Sequence, residues 1–231
     1  MEIPILYEDN HLLIVEKPIN VPVQEDRSKD QDLLTILKQD LKMRYNKPGN
    51  VYLSLVHRLD RPVGGAIILA KTSKAASRMA DILRKRELER KYLAIVRGKV
   101  ASRNGTLEHY LQKDRRKNEV LVVHPNAENA KKALLHYRVL GQKDKLSLIE
   151  VRLVTGRSHQ IRVQLSAIGN PLFGDQLYGK RINNVGQQIA LWAYELSFIH
   201  PVKKERITVQ SNPPKKFPWN IWNKHIIKNE I

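Results

Sequence analysis

Short apolar segments that alternate with stretches of helical periodicity constrain the fold of this chain more than any other feature. LLIVE (12–16), AIILA (66–70) and YLAIV (92–96) are each five residues long, which is typical of buried strands and too short for helices. The leucines at 33, 34, 37 and 41 instead recur along one helix face. This mixture predicts an α+β fold. No linker is long enough to demand a boundary, so we expect one domain over residues 1–231.

The remaining elements follow from the same patterns. Two further helices are predicted, one after a cap at Thr72 or Ser73 and one after a cap at Ser158. Residues 101–119 are polar and basic, and we expect them to form an excursion on the surface. The expected inward-facing positions of the two helices are Ala76, Met79, Ile82 and Leu83, and Ile161, Leu165 and Ile168. Further strands are expected near 5–7, 51–56, 134–140, 146–154, 189–199 and 206–210.

The charge of the chain indicates a class of partner. Lysines and arginines number 41 against 23 aspartates and glutamates, which gives a formal net charge of +18. Because each neutralised phosphate releases condensed counterions, such an excess favours a polyanion such as nucleic acid. A basic surface that is merely well solvated is the alternative that charge alone leaves open. The basic run from Arg84 to Lys91 has the same two interpretations, a solvated helix end or a phosphate contact.

Several chemistries are excluded by what the sequence lacks. The chain has no cysteine, so disulfides, thiolate zinc sites and cysteine nucleophiles are ruled out. Histidine pairs with metal spacing, glycine-rich nucleotide loops and serine hydrolase elbows are also missing. We therefore expect neither a metal nor a small-molecule cofactor. The N-terminus has no secretory signal, and no apolar run approaches the roughly 20 residues that span a bilayer. These features predict a cytoplasmic protein without a membrane partner.

The segment SLVHRLDRPVGGAIILAKT (54–72) contains the first candidate for chemistry. Asp60 lies in a bend between apolar strands, and Arg58 and Arg61 flank it. A lone aspartate at such a place is most often only a turn residue. The residues by themselves therefore make Asp60 no more than a candidate.

A second candidate lies in LVTGRSHQIRVQLSAIG (153–169). Arg157 and Arg162 bracket a predicted helix start, where backbone amides and the helix dipole attract anions. An ordinary surface cation is the other interpretation of Arg162, although its apolar neighbours Ile161 and Val163 argue against full exposure.

Taken in order, these motifs resemble the RluA-like pseudouridine synthase family. The resemblance extends from about residue 7 to about residue 210, and several long motifs in one order are a highly specific signal. The motifs are YEDNHLLIVEKP (7–18), HRLDRxxxG with the AKT that follows it, KYLAxVxG (91–98), TGRxHQIRVxLxxIGxPxxGDxxYG (155–179) and LxFxHP (196–201).

The resemblance implies an RNA-modifying isomerase that converts uridine to pseudouridine without a cofactor. It implies a mixed, largely antiparallel sheet split by a basic RNA-binding cleft. By the same resemblance, Asp60 is the catalytic carboxylate, Arg162 pairs with it, and Tyr92 stacks on the target base, which must be flipped out of its helix or loop. Arg58 is expected to touch RNA beside the extruded nucleotide. The further expected RNA contacts are Arg61, Lys91, Arg157 and His159.

The chain departs from the family pattern in two places. The residues Arg61-Pro62-Val63-Gly64-Gly65 replace the usual Thr-Ser pair before the glycine, and Pro62 stiffens this bend, which bears on loop shape and substrate choice. Ser158 stands where threonine is usual. Because the pattern begins at about residue 7, we expect no separate N-terminal RNA-binding domain. We expect a monomer whose catalytic domain alone recognises ribosomal or transfer RNA.

Two other classes of function stay open. A non-catalytic RNA-binding or ribosome-assembly factor could keep the fold and the basic surface, although it would not need a buried Asp–Arg pair. A metal-dependent nuclease would need a carboxylate cluster, and the sequence has none with the usual spacing. The sequence does not encode which uridine is modified, because site choice depends on loops and on RNA shape.

Overall fold

Antiparallel pairing dominates the fold. The computed structural model of the chain describes residues 1–26, 28–114 and 116–222, and within these ranges it has three α-helices and eleven strands. The helices are α1 (Leu33–Arg44), α2 (Ser73–Arg84) and α3 (Gln160–Ala167), and a 3₁₀ turn covers Trp219–Trp222. The strands are β1 (Ile5–Glu8), β2 (Leu12–Lys17), β3 (Ser54–Leu55), β4 (Gly64–Ala70), β5 (Glu89–Arg97), β6 (Asn104–Asp114), β7 (Glu119–Val123), β8 (Lys131–Lys143), β9 (Leu146–Leu153), β10 (Leu191–Ile199) and β11 (Arg206–Gln210).

The chain divides into two compact units. The described residues of 1–90 and 193–211 form the first unit, and those of 91–192 and 212–222 form the second. The predicted α+β class with a largely antiparallel sheet is confirmed. The basic cleft and the single catalytic domain stay predictions.

Buried strands make up the centre of the first unit. β2 pairs with both β1 and β4, β3 pairs with the end of β4, and β10 pairs with β11. Every residue of 12–15 and of 66–70 is fully buried. Since neither face of these strands meets water, each is a continuous apolar run rather than an alternating one.

Two helices of the first unit begin at side-chain caps. The Asp32 carboxylate accepts the Thr35 N–H at 3.0 Å at the start of α1. The Thr72 hydroxyl accepts the Ala75 N–H at 3.1 Å at the start of α2, so of the two predicted candidates, Thr72 and Ser73, Thr72 is the cap. Such caps satisfy backbone donors that have no partner inside the helix.

The amphipathic face of α2 covers the sheet of the first unit. Met79 is fully buried in one cluster with Ile14, Ile68 and Phe198, and the predicted positions Ala76, Ile82 and Leu83 pack against it while staying partly exposed. The stripe predicted at helical spacing is thus the packing face of α2.

The second unit is an antiparallel sheet with one helix on it. The strands follow one another in the order β5, β9, β8, β6 and β7. Val163 of α3 lies in a buried cluster with Leu111, Val120 and Ala133, which come from β6, β7 and β8. This packing fixes α3, and with it Arg162, against the sheet.

The prediction of an irregular surface excursion over residues 101–119 is wrong for most of this range. Asn104–Asp114 form β6, and Glu119 begins β7. Leu107 and Leu111 supply the buried positions of β6, while charged and polar residues occupy most of the others. A strand with one polar face is hard to distinguish from a polar loop when few of its residues are apolar.

Three smaller expectations are also corrected. Ser158 does not cap α3, because the helix begins after His159, whose backbone is left-handed (φ 51°) and whose side chain makes no cap. Ile168 follows the last residue of α3 and is 37% exposed, so it does not face inward. The strand expected over 51–56 is limited to Ser54–Leu55.

Candidate active site

Asp60 lies in a turn between β3 and β4 of the first unit. Its backbone carbonyl accepts the Val63 N–H at 2.9 Å, and this closes the turn. Leu59 and Val63 are buried, which anchors both ends, while Asp60 itself is half-buried. Two apolar anchors around a polar residue hold a carboxylate at the surface of the core without burying it completely.

A buried lysine supports this turn. Lys17, at the end of β2, is fully buried, and its Nζ donates to the carbonyl oxygens of Pro18 at 2.7 Å and Arg61 at 3.0 Å. Burial lowers the pKa of Lys17 to about 7, and the charge of nearby Asp60 opposes this shift only in part. Sequence reasoning missed Lys17, although its place between a buried strand and Pro18 was a usable signal.

The two arginines beside Asp60 differ in their surroundings. Arg58 is exposed. Arg61 forms an ion pair with Asp30, lies 4.0 Å from a carboxylate oxygen of Asp26, and donates from Nε to the Asn20 carbonyl at 3.1 Å. RNA phosphates would therefore have to compete with two carboxylates for Arg61, and the RNA contacts predicted for both arginines stay predictions.

His57, the first residue of the HRLD motif, belongs to the framework of the first unit. Its Nε2 accepts the Ile68 N–H at 3.3 Å, and desolvation lowers the pKa of the imidazole to about 3, with a further lowering from the Arg90 charge. A neutral ring is required for this acceptor role.

Gly65 is another framework position of the first unit. Its φ is +111°, and a Cβ there would lie 2.3 Å from the Ala193 carbonyl oxygen. Glycine therefore allows the start of β4 to lie directly against the backbone of β10.

Arg162 is buried in the second unit and is not a surface cation. It lies on α3 with 9% of its side chain exposed. Its Nε and Nη2 donate to the two carboxylate oxygens of Asp175 at 2.9 and 3.0 Å, and the Tyr178 ring centroid lies 5.2 Å from its Cζ. Asp175 and Tyr178 belong to the GDxxYG part of the long motif, but sequence reasoning assigned them no role.

The start of α3 is held by its first side chain. Gln160 Oε1 accepts the Thr155 hydroxyl at 2.8 Å and the Arg157 N–H at 2.9 Å, while its Nε2 donates to the Leu134 carbonyl. The Arg157 guanidinium is exposed and donates from Nε to the Lys132 carbonyl at 3.0 Å. Gln160 therefore holds the turn before the helix in place of the predicted Ser158 cap.

His159 and the β5 residues complete the predicted positions of the second unit. His159 is half-buried, and its Nδ1 lies 2.8 Å from the Tyr178 hydroxyl. Tyr92 lies on β5 opposite Val151, with 6% of its surface exposed, and Lys91 beside it is half-buried. The base stacking predicted for Tyr92 and the RNA contacts predicted for Lys91, Arg157 and His159 stay predictions.

The structure thus groups the predicted residues by unit. Asp60, Arg58 and Arg61 share one loop of the first unit, whereas Arg157, His159 and Arg162 cluster at the start of α3 in the second, and Tyr92 and Lys91 lie on β5. The predicted pairing of Asp60 with Arg162 stays a prediction. Within its own unit, Arg162 contacts Asp175 and Tyr178.

Neither a metal cluster nor a membrane span is found in the part of the chain that the structure describes. No group of three or more histidine, aspartate or glutamate side chains has the arrangement of a metal site there. None of the described helices has the length and apolarity needed to cross a bilayer.

Comparison with known proteins defines the class. Residues 11–167 match the family described as RNA pseudouridylate synthase. The chain is 35% identical over 216 residues to an uncharacterized RNA pseudouridine synthase, YhcT, of Bacillus subtilis, covering 92% of this chain and 69% of that protein. It is 34% identical over 233 residues to ribosomal large subunit pseudouridine synthase D of Pseudomonas aeruginosa, covering 95% of this chain and 71% of that protein.

Solved structures agree with this class. The structure of human RNA pseudouridylate synthase domain containing 1 superposes with a TM-score of 0.74 at 25% identity, covering 93% of this chain and 85% of that one. Human RNA pseudouridylate synthase domain containing 4 gives a TM-score of 0.77 at 23% identity, with coverages of 97% and 93%, and supports the fold. The molecule is therefore an isomerase that acts on RNA. The chain belongs to the RNA pseudouridylate synthase family, in its RluA-like branch.

Proposed function

We propose that this enzyme isomerises specific uridines of structured RNA, with Asp60 as the catalytic carboxylate on a nucleotide flipped out of its helix or loop. The observation that carries the proposal is the Asp60 turn, where two buried neighbours and the buried Lys17 hold a half-buried carboxylate in place. The reaction breaks the bond between ribose C1′ and N1 of the base, turns the base, and joins C1′ to C5. It needs no redox step and no group donor, so side chains alone can serve it.

Three residues share the chemistry in this proposal. Asp60 attacks the target nucleoside as nucleophile or base, Arg162 supports the charged carboxylate, and Tyr92 offers an aromatic face to the extruded base. The family resemblance supports these roles, and so does the burial of Arg162, because a buried guanidinium keeps its charge and is weakly screened by water. Extruding a base costs a few kcal/mol, which stacking on Tyr92 offsets.

The proposed substrate is ribosomal or transfer RNA. Relatives named ribosomal large subunit pseudouridine synthases C and D support ribosomal RNA, and the net charge of +18 supports tight binding to phosphates. Arg58, which is exposed, is the first candidate for a phosphate contact near the target. We further propose that the enzyme works as a monomer in the cytoplasm without metal or cofactor.

Tritium release tests the catalytic assignment. Uridine labelled with tritium at C5 loses the label to water when C5 takes over the glycosidic bond. Wild-type protein should release tritium from cellular RNA, whereas Asp60→Asn and Asp60→Ala should reduce release to background. Asp40→Asn is the matched control, because it removes an exposed carboxylate of α1 that pairs with Arg44. Full activity of Asp60→Asn would refute the assignment.

The non-catalytic alternative is tested in cells. Pseudouridine maps of total RNA with and without this gene should differ at the target uridines, and the gene carrying Asp60→Ala should fail to restore them. If that variant cures a growth or ribosome-assembly defect of the deletion as well as wild type does, an RNA-binding factor is the better description.

A further inference from the structure

We infer that Asp175 is a positioning residue of the catalytic machinery: it orients the guanidinium of Arg162 for the role proposed for that arginine. The inference rests on the proposed function, since it extends the role given there to Arg162. It concerns a residue to which neither the family resemblance nor the comparisons give a role.

The contact between the two side chains is bidentate. Arg162 Nε donates to Asp175 Oδ2 at 2.9 Å and Nη2 donates to Oδ1 at 3.0 Å, with 9% of the arginine side chain and none of the aspartate side chain exposed. Two parallel hydrogen bonds fix both the plane and the direction of a guanidinium, which one hydrogen bond cannot do. These two hydrogen bonds use the Nε–H and one N–H of Nη2, and they hold the edge of the guanidinium that carries both nitrogens against Asp175.

The carboxylate of Asp175 is itself immobilised. Besides the arginine, Asp175 Oδ1 accepts the N–H groups of Leu177 and Tyr178 at 2.9 and 3.1 Å. Burial alone would raise the pKa of Asp175, but the Arg162 guanidinium and these two N–H groups outweigh it, so the pKa lies below its usual value. The group that orients Arg162 therefore stays ionised and stays in place.

The loop around Asp175 is also fixed. Asn183 Nδ2 donates to the Asp175 carbonyl at 3.1 Å, and Asn183 Oδ1 accepts the Gly174 N–H at 3.0 Å. Gly174 has a φ of +76°, and a Cβ there would lie 2.2 Å from the Gln188 carbonyl oxygen, so only glycine lets the loop backbone lie this close to Gln188. A rigid loop is what a positioning residue requires, because an orienting contact is only as precise as its support.

A second wall of the arginine site comes from Tyr178. Its ring centroid lies 5.2 Å from the Arg162 Cζ, while its hydroxyl accepts the Val120 N–H at 2.8 Å and lies 2.8 Å from His159 Nδ1. The ring that packs on the guanidinium is thus tied to β7 and to the start of α3. Asp175 fixes the edge of the guanidinium, and Tyr178 fixes its face.

The variant Asp175→Asn tests whether Asp175 orients the Arg162 guanidinium or only contributes to folding. Asparagine has nearly the same volume and keeps an Oδ1 acceptor for the Leu177 and Tyr178 N–H groups, but it loses the negative charge and the second acceptor for Arg162. We expect kcat to fall roughly 10- to 100-fold with KM little changed, as for other losses of alignment at a reacting centre. Glu150→Gln is the matched control: it removes a half-buried carboxylate of the same unit that pairs with the exposed Arg138, and kcat should stay at the wild-type value.

A double-mutant cycle distinguishes positioning from a purely structural role. If Asp175 acts through Arg162, then Asp175→Asn combined with Arg162→Lys should lose little more activity than Arg162→Lys alone. Two results would overturn the inference and leave the proposed function intact. One is that the losses of kcat in the two single variants multiply in the double variant. The other is that Asp175→Asn has the wild-type kcat while Asp60→Asn is inactive. An active Asp60→Asn would refute the proposed function itself, and this inference with it.

Urea unfolding checks that each variant is folded. Should Asp175→Asn fail to fold, Asp175→Glu keeps the charge but displaces the carboxylate, and a kcat equal to wild type in that variant would overturn the inference.

Discussion

Replacing Lys17 with methionine isolates the effect of a buried ammonium beneath the Asp60 turn. The side chain is fully buried, and burial lowers its pKa from 10.5 to about 7. A drop of this size corresponds to about 5 kcal/mol of folding free energy between the fully charged and fully neutral states, at about 1.4 kcal/mol for each pKa unit. Methionine fills a similar volume without a charge, so it removes this contribution while keeping the packing.

The sign of the pH dependence follows from the two pKa values of Lys17. Below pH 7 the lysine is protonated in both the folded and the unfolded chain, and the whole cost of burying the charge is present. Between pH 7 and 10.5 the unfolded chain binds the proton and the folded chain does not, so the free energy of unfolding rises with pH. Above 10.5 neither form holds the proton and the cost is absent.

Urea unfolding of wild type and Lys17→Met between pH 6 and 9.5 measures this effect. The unfolding free energy of wild type minus that of the variant should increase between pH 7 and 9.5, by up to about 3 kcal/mol. Lys74→Met, on the exposed face of α2, controls for the loss of one positive charge. A difference between wild type and Lys17→Met that stays constant over this range would refute the argument that burial lowers the pKa of Lys17.

Three further predictions concern packing, capping and stacking. Gly65→Ala should lower the free energy of unfolding by about 1–3 kcal/mol or more, because its Cβ would lie 2.3 Å from the Ala193 carbonyl oxygen at a φ of +111°. Gly49→Ala is the control, since a Cβ there meets nothing within 4 Å. Equal stabilities of the two variants would contradict this reasoning. Thr72→Ala should lower the free energy of urea unfolding by about 1 kcal/mol, because it removes the side-chain cap of α2. Thr72→Ser keeps a hydroxyl and should retain most of the wild-type stability. An alanine variant as stable as wild type would count against the cap. If Tyr92 stacks on the target base, Tyr92→Leu should reduce kcat/KM for tritium release by roughly 5- to 150-fold. Tyr92→Phe keeps the aromatic ring and should reduce it much less. Equal reductions in the leucine and phenylalanine variants would argue against stacking.

The elements that could be predicted from the sequence are those whose signal is local. The buried strands over 12–16 and 66–70 are continuous apolar runs, because both faces of β2 and β4 are covered, and the stripe of α2 repeats at the helical period. β6 was missed because the few buried positions of a half-exposed strand carry little signal. The prediction of a cap at Ser158 was wrong because the helix begins one residue later, after the left-handed backbone of His159. The preference of serine for cap positions does not predict a left-handed residue after it.

In the candidate active site, too, some features could be predicted from the sequence and others depend on the tertiary structure. The motifs and their order along the chain by themselves indicated the family and, through it, the reaction class and the candidate carboxylate Asp60. Only the tertiary structure decided that Arg162 is buried against Asp175, thirteen residues further along, and that Lys17 supports the Asp60 turn from another strand, 44 residues before Arg61. A side chain's pattern in the sequence indicates whether it is apolar or charged. Its burial, its partner and its pKa depend on which distant segment packs against it, and that is settled by the fold.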